Sequence, residues 1–358
     1  MNFNFEQKIL LQACAISPRN KILDIELFKQ NEIDWDLLIR GAQKNKILGL
    51  VYNYFLENEL DELIPIYYKH LFDDVLACNY LRNTEKLLEM NIIQKAMEKH
   101  NVCFSPVKGG YLIDNIYKNR KIRITNDIDV LIKRKDISNI DIIMKEHGYL
   151  QGQLDIKNNK ILLPNSTKKI LYKTKMYNLL PYIKIKEDIP VKIVIFDFSF
   201  ALDFTLNTKP VEEMLDKAFQ TDNGLELLPE HFFVHMCCHH YREASNVAWI
   251  LIGKDLNLIK FCDVREFILQ KMNSDIIAKA VKFAKSHGLE KAVYFTIYFT
   301  REIYNDGYET EILESLGIKD EAFLYQFGEK DYDELQTRKK DFWTSLFSDN
   351  NRDEVIKS

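Results

Sequence analysis

The sequence predicts an α+β protein in which one small mixed sheet module is flanked by N- and C-terminal helical regions. Three observations point there. The apolar period is helical up to about residue 98, turns strand-like near residue 101, and becomes helical again after about residue 210. Turn signals punctuate the middle section at Asn158-Asn159-Lys160 and Pro164-Asn165-Ser166. Acidic residues interrupt two of its apolar runs, at Asp127, Asp129 and Asp197. The expected divisions are 1–98 helical, 99–205 sheet core, 206–350 helical, and a charged, frayed tail over 351–358.

In the first region, Ile33-Asp34-Trp35-Asp36-Leu37-Leu38-Ile39 opens a helix on an aspartate cap, with apolar positions continuing through Ala42. Ile47 to Tyr52 resumes the pattern, and a long helical stretch runs from about Pro65 to His100. In the middle, Val102 to Val107 reads as extended, Tyr111 to Tyr117 as a short helix and Ile128 to Ile132 as a strand. Ile137 to His147 reads as a helix ending at Gly148. Tyr149 to Leu154, Lys169 to Tyr172, Tyr182 to Ile185 and Val191 to Phe198 read as strands. In the last region helices are expected from Pro229, whose ring suits a first turn, and over Leu256 to Leu269, Ser274 to His287 and Leu289 to Tyr304.

Bulk properties bound the function. A chain of 358 residues suggests two or three domains. A net charge of −4 argues against a general nucleic-acid coat. The six cysteines are scattered, so no disulfide framework is expected. No signal segment and no membrane-spanning run is visible, which makes the cytoplasm the expected compartment.

Three segments carry chemistry. In Asp127-Ile128-Asp129-Val130-Leu131-Ile132, a strand places both carboxylates on one face. Their repulsion is relieved by a divalent cation, and hard oxygen ligands select Mg²⁺ or Mn²⁺. Taken alone, Asp-x-Asp is better described as two solvated acids at a strand end. Lys108-Gly109-Gly110 lies between an apolar strand and a short helix, where backbone N–H groups can approach phosphate oxygens and Lys108 adds a cation. Taken alone, it is a simple turn. Asp197 sits within the apolar run Val191 to Phe198, a costly place for a carboxylate without a partner or metal. Asp203 is the competing third acid.

Strand, Gly-Gly, helix, Asp-x-Asp strand and a later acidic strand follow the order of the polymerase-β-like nucleotidyltransferase fold. The run Val107-Lys108-Gly109-Gly110-Tyr111-Leu112, then Ile116-Tyr117, then Arg123-Ile124-Thr125-Asn126-Asp127-Ile128-Asp129 resembles the signature of the uncharacterised nucleotidyltransferase family. Trp35 to Leu38, Leu228-Pro229-Glu230 and Leu258 to Asp263 are similar to its helical regions, so the likeness spans about residues 30 to 270. Asp197 is followed by Phe198-Ser199-Phe200, where the family often has Leu-His-Trp.

The resemblance implies transfer of an NMP group from an NTP to an acceptor hydroxyl or other nucleophile, with release of pyrophosphate. Asp127, Asp129 and Asp197 would be the catalytic and metal-binding residues, holding two Mg²⁺ or Mn²⁺ ions. Lys108, Gly109, Gly110 and Arg123 would contact phosphate, with bracing the strand an equal role for Arg123. The acceptor would be a small molecule, a peptide or a protein, with RNA ranked behind these. The alternative is a non-catalytic nucleotide-binding regulator or antitoxin-like protein on the same fold. Outside this set, His231, His235 and His239 recur at helical spacing, read as a packed face with one or two imidazoles reaching the substrate rather than a metal site. Cys237 and Cys238 read as buried packing rather than nucleophiles.

Overall fold

The computed structural model describes residues 3–186, 191–222, 224–328, 334–348 and 351–355. The chain divides into two units, one of Met1–Ala77 with Phe233–Ser358, the other of Cys78–Phe232.

Helix α1 (Phe5–Ala13) starts on a reciprocal capping box between Asn4 and Gln7. It is followed by α2 (Glu26–Gln30), α3 (Trp35–Lys44) and α4 (Leu48–Glu57). The carboxylate of Asp34 accepts the Leu37 N–H at 2.9 Å and so sets the start of α3. The long stretch after Pro65 is one helix, α5 (Ile66–Lys99).

The sheet lies in the second unit. Strand β1 (Ser105–Val107) leads into a single turn, α6 (Gly109–Leu112), that continues as a π-type turn over Ile113–Tyr117. Then come β2 (Ile128–Leu131), α7 (Ile137–Glu146), β3 (Leu150–Gln151), β4 (Gln153–Asp155), β5 (Lys160–Leu162), α8 (Ser166–Lys175), β6 (Tyr182–Ile185) and β7 (Ile193–Ser199). Helix α9 (Lys209–Asp216) and the hairpin β8 (Phe219–Thr221), β9 (Gly224–Glu226) complete the unit. Strand order in the main sheet is β1-β2-β7-β6-β3. Strands β2 and β7 run parallel, while β1 with β2, β6 with β7 and β3 with β6 are antiparallel, so the sheet is mixed.

One face of this sheet is the core. Ile128, Val130, Val194, Phe196 and Phe198 alternate inward along β2 and β7. Leu87, Met90, Ile93 and Met97 from α5 and Ile140, Ile143 and Met144 from α7 belong to the same cluster. Burying each large apolar side chain contributes about 1.5–3 kcal/mol, and this fixes which face of β2 and β7 points away from the core.

The remaining helices are α10 (Pro229–Ala244), α11 (Val247–Leu251), α12 (Leu258–Lys271), α13 (Ser274–His287), α14 (Glu290–Ile303) and α15 (Tyr308–Leu316). A short ladder of β10 (Gln326–Phe327) and β11 (Gln336–Thr337) precedes α16 (Phe342–Phe347). In the first unit the fully buried Arg265 is held by Asp306, Glu266 and the carbonyls of Ser17 and Pro18. These partners tie α12 to the segment after α1, because a buried guanidinium must have its donors satisfied.

Four sequence expectations are corrected. Lys169 to Tyr172 is not a strand but the middle of α8, because Asn165 accepts the Lys168 N–H at 2.8 Å and starts a helix there. The apolar pair Ile170 and Leu171 that suggested a strand is exposed. Tyr149 to Leu154 is split between two sheets at Gly152, where a β-carbon would lie 2.5 Å from the Leu162 carbonyl oxygen. The short helix begins at Gly109 rather than Tyr111. Within the expected frayed tail Asn351 and Glu354 are buried, and Glu354 accepts the N–H groups of Lys339 and Lys340, while Arg352 and Asp353 are exposed. The rest of that tail, 356–358, lies outside the described residues.

Candidate active site

Asp129 on β2 is register-matched with Asp197 on β7. Their neighbours Ile128, Val130, Phe196 and Phe198 all point to the core. Period-two alternation therefore sends both carboxylates to the opposite face. Asp127, two residues before Asp129, shares that side. One carboxylate oxygen from each of Asp127, Asp129 and Asp197 lies within 4.8 Å of the others, and among the described residues this is the one such grouping of potential metal ligands.

The electrostatics explain why a cation suits this place. The Asp129 side chain is only 13% exposed. Its carboxyl is pushed up to about 7, by burial first, against the pull of the Lys108 ammonium, with Asp127 and Asp197 repelling further. Lys108 forms an ion pair with Asp129. Asp197 accepts a hydrogen bond from Asn178 Nδ2 at 3.0 Å, which orients its carboxylate. Three clustered acids offer the hard oxygen donors that a divalent cation prefers, so the residues present fit the Mg²⁺ or Mn²⁺ expected from the sequence.

The turn beside the acids is strained. Lys108 has φ +49° and ψ −126°, a conformation that L residues other than glycine rarely adopt. The left-handed φ therefore falls on the lysine and not on the glycines that follow. Gly109 and Gly110 are needed for close packing. A β-carbon on Gly109 would sit 2.7 Å from the Thr125 side chain and 2.9 Å from Arg123 Nη1, and one on Gly110 would sit 3.2 Å from Met90 Sδ. Their absence lets α6 lie directly against the 123–125 segment and α5, with the Lys108 side chain directed to Asp129.

Arg123 is buried, donates to Thr125 Oγ1 at 3.2 Å and lies over the Tyr117 ring. These contacts set it against the segment that leads into Asp127. Asp203 accepts the Thr205 N–H and hydroxyl in a local turn and does not belong to the carboxylate group.

On α10, His231 and His235 are buried, and His239 pairs with Glu243 at 3.2 Å. None of the three joins a metal-ligand grouping among the described residues. Cys237 and Cys238 are buried, and burial raises the Cys237 thiol well above its ordinary value, which suits packing rather than attack.

Sequence reasoning missed two residues. Lys86 of α5 is buried and donates to the Thr125 carbonyl; burial lowers it to about 8, and the nearby Asp127 opposes that shift. Its signal was a lysine on the apolar stripe of a long helix. Asn178, which holds Asp197, had no local signal because it sits in the loop between α8 and β6.

A mixed sheet with a glycine turn and three convergent carboxylates defines a nucleotidyltransferase-type protein. The family model described as uncharacterised nucleotidyltransferase matches residues 31–305, and the chain belongs to that family. Its general role is accordingly nucleotidyl transfer. No curated protein matches the chain. Among the described residues no helix is long and apolar enough to cross a membrane.

Proposed function

We propose that this chain is a metal-dependent enzyme that transfers an NMP group from an NTP to an acceptor hydroxyl. The acceptor oxygen bonds to the α-phosphorus, the bond from that phosphorus to the α–β bridging oxygen breaks, and pyrophosphate leaves. Support comes first from one observation: Asp127, Asp129 and Asp197 bring their oxygens within 4.8 Å of one another.

Each residue has a task in this reading. Asp127, Asp129 and Asp197 would hold the divalent ions that bind the triphosphate. Such ions stabilise attacking and leaving oxygens and lower the pKa of a bound hydroxyl. Asp197 accepts the hydroxyl proton, held in orientation by Asn178. Lys108, paired with Asp129 in this structure, would contact the β- and γ-phosphates together with the N–H groups at the start of α6. Arg123 keeps the loop in place.

The test is transfer of label from each of the four α-labelled NTPs to any species in a cell extract, with Mg²⁺ or Mn²⁺. The expected result is metal-dependent labelling with pyrophosphate release, lost in Asp127→Ala. Undiminished labelling in that variant refutes the site. Nucleotide binding without pyrophosphate release, in every extract, returns the non-catalytic regulator.

A further inference from the structure

The second unit carries a cavity of about 350 Å³ that the assignments above leave unused. Arg82 and Lys86 of α5, Lys192, Thr125, Asn126, Ile193 and Ile195 line it. The lining has three cations and, among the described residues, no carboxylate. Arg82 and Lys192 are exposed at the rim and Lys86 is buried, fixed by its bond to the Thr125 carbonyl.

Its position relative to the acids is informative. Asn126 immediately precedes Asp127. Ile193 and Ile195 share the face of β7 that carries Asp197, because strand side chains alternate. Lys108, by contrast, engages the carboxylates at Asp129. The cavity thus lies next to the residue that precedes Asp127 and two residues along β7 from Asp197, while Lys108 lies at Asp129.

A guanidinium and two ammonium groups around a small cavity match a phosphate group, which accepts several charge-assisted hydrogen bonds at once. The volume is that of a small-molecule site. The apolar floor of Ile193 and Ile195 suits the carbon skeleton of such a molecule. A nucleic acid is disfavoured by the net charge of −4.

We infer that this cavity holds the acceptor, and that the acceptor is a small molecule bearing a phosphate group near the hydroxyl that receives the nucleotide. The acceptor role rests on the transfer activity proposed above; phosphate binding does not.

The experiment is calorimetric titration of the full chain in EDTA with inorganic phosphate, ribose 5-phosphate, ribose and a short 5′-phosphorylated oligonucleotide. Ribose 5-phosphate should bind and ribose should not. The rim variant Arg82→Glu/Lys192→Glu should weaken ribose 5-phosphate binding by roughly tenfold or more, with an unchanged melting temperature, and Lys108→Ala should leave it intact. Equal binding by the rim variant, absence of binding to the unmodified chain, or loss in Lys108→Ala overturns the site. Tighter oligonucleotide binding that the rim variant abolishes overturns the small-molecule assignment in favour of nucleic acid. A parallel Mn²⁺ titration separates the two readings: failure of the unmodified chain to bind Mn²⁺ removes the transfer activity, and with it the acceptor role, while the phosphate result is read independently.

Discussion

Asp129 and Asp197 stand side by side as register partners on a parallel strand pair of the main sheet. Two carboxylates so placed, with Asp127 alongside, repel one another until a cation intervenes. Asp127→Asn and Asp197→Asn should each weaken Mn²⁺ binding by roughly tenfold or more, read by electron paramagnetic resonance. In metal-free buffer Asp197→Asn should not melt below the unmodified chain, since it removes a repulsion, whereas Asp127→Asn also removes the charge that favours the buried Lys86 ammonium. A metal-free melting temperature that drops sharply in both would show the acids to be structural.

Gly109 packs too closely for a side chain. Alanine there would place its β-carbon 2.7 Å from Thr125, which is itself buried. Gly109→Ala should cost about 1–3 kcal/mol in urea unfolding. Adding Thr125→Ala should return part of that loss, because the two changes share one clash. Strict additivity in this double-mutant cycle would disprove the steric account.

Glu89 reports on the sheet through its acid stability. Burial alone would raise its carboxyl, but hydrogen bonds from Lys186 and Tyr149 and the charge of Lys184 outweigh burial and hold it below the usual value. A folded-state value below the unfolded one contributes stability above the unfolded pKa, about 4.3. That contribution is lost as pH falls through the folded value. Glu89→Gln should cost about 1–3 kcal/mol at neutral pH, and the gap to the unmodified chain should shrink below about pH 4. A gap that stays constant across this range would mean the charge is irrelevant.

Thiol accessibility offers a simple check of packing in both units. Cys78 is exposed and Cys103 partly so, whereas Cys14, Cys237, Cys238 and Cys262 are buried. Burial lifts the Cys237 thiol, and a hydrogen bond from the Cys262 thiol to Cys14, followed by burial, lifts Cys262. A thiol reagent at neutral pH should modify Cys78 first and the four buried thiols only on denaturation. Rapid native labelling of Cys237 or Cys238, mapped by mass spectrometry, would contradict the packing of α10.

Periodicity and caps are local, and they were legible. The strand alternation that puts Asp127 and Asp129 on one side, the long α5, the bounds of α13 and the Asp34 cap can all be read from neighbouring residues. Where two local signals compete, reading fails: at Lys169 to Tyr172 the Asn165 cap outweighs the strand-like apolar pair.

The sequence by itself determined the long helices, the strand that carries the Asp-x-Asp acids, and the position of the glycine turn, because each depends on residues a few positions apart. Only the tertiary structure decided that Asp197 rather than Asp203 joins them, that Lys108 carries the strained turn, and that Lys86 and Asn178 stand close by. Those outcomes depend on the pairing of β7 with β2 and the packing of α5, contacts between distant segments whose register is set by burial of a shared core.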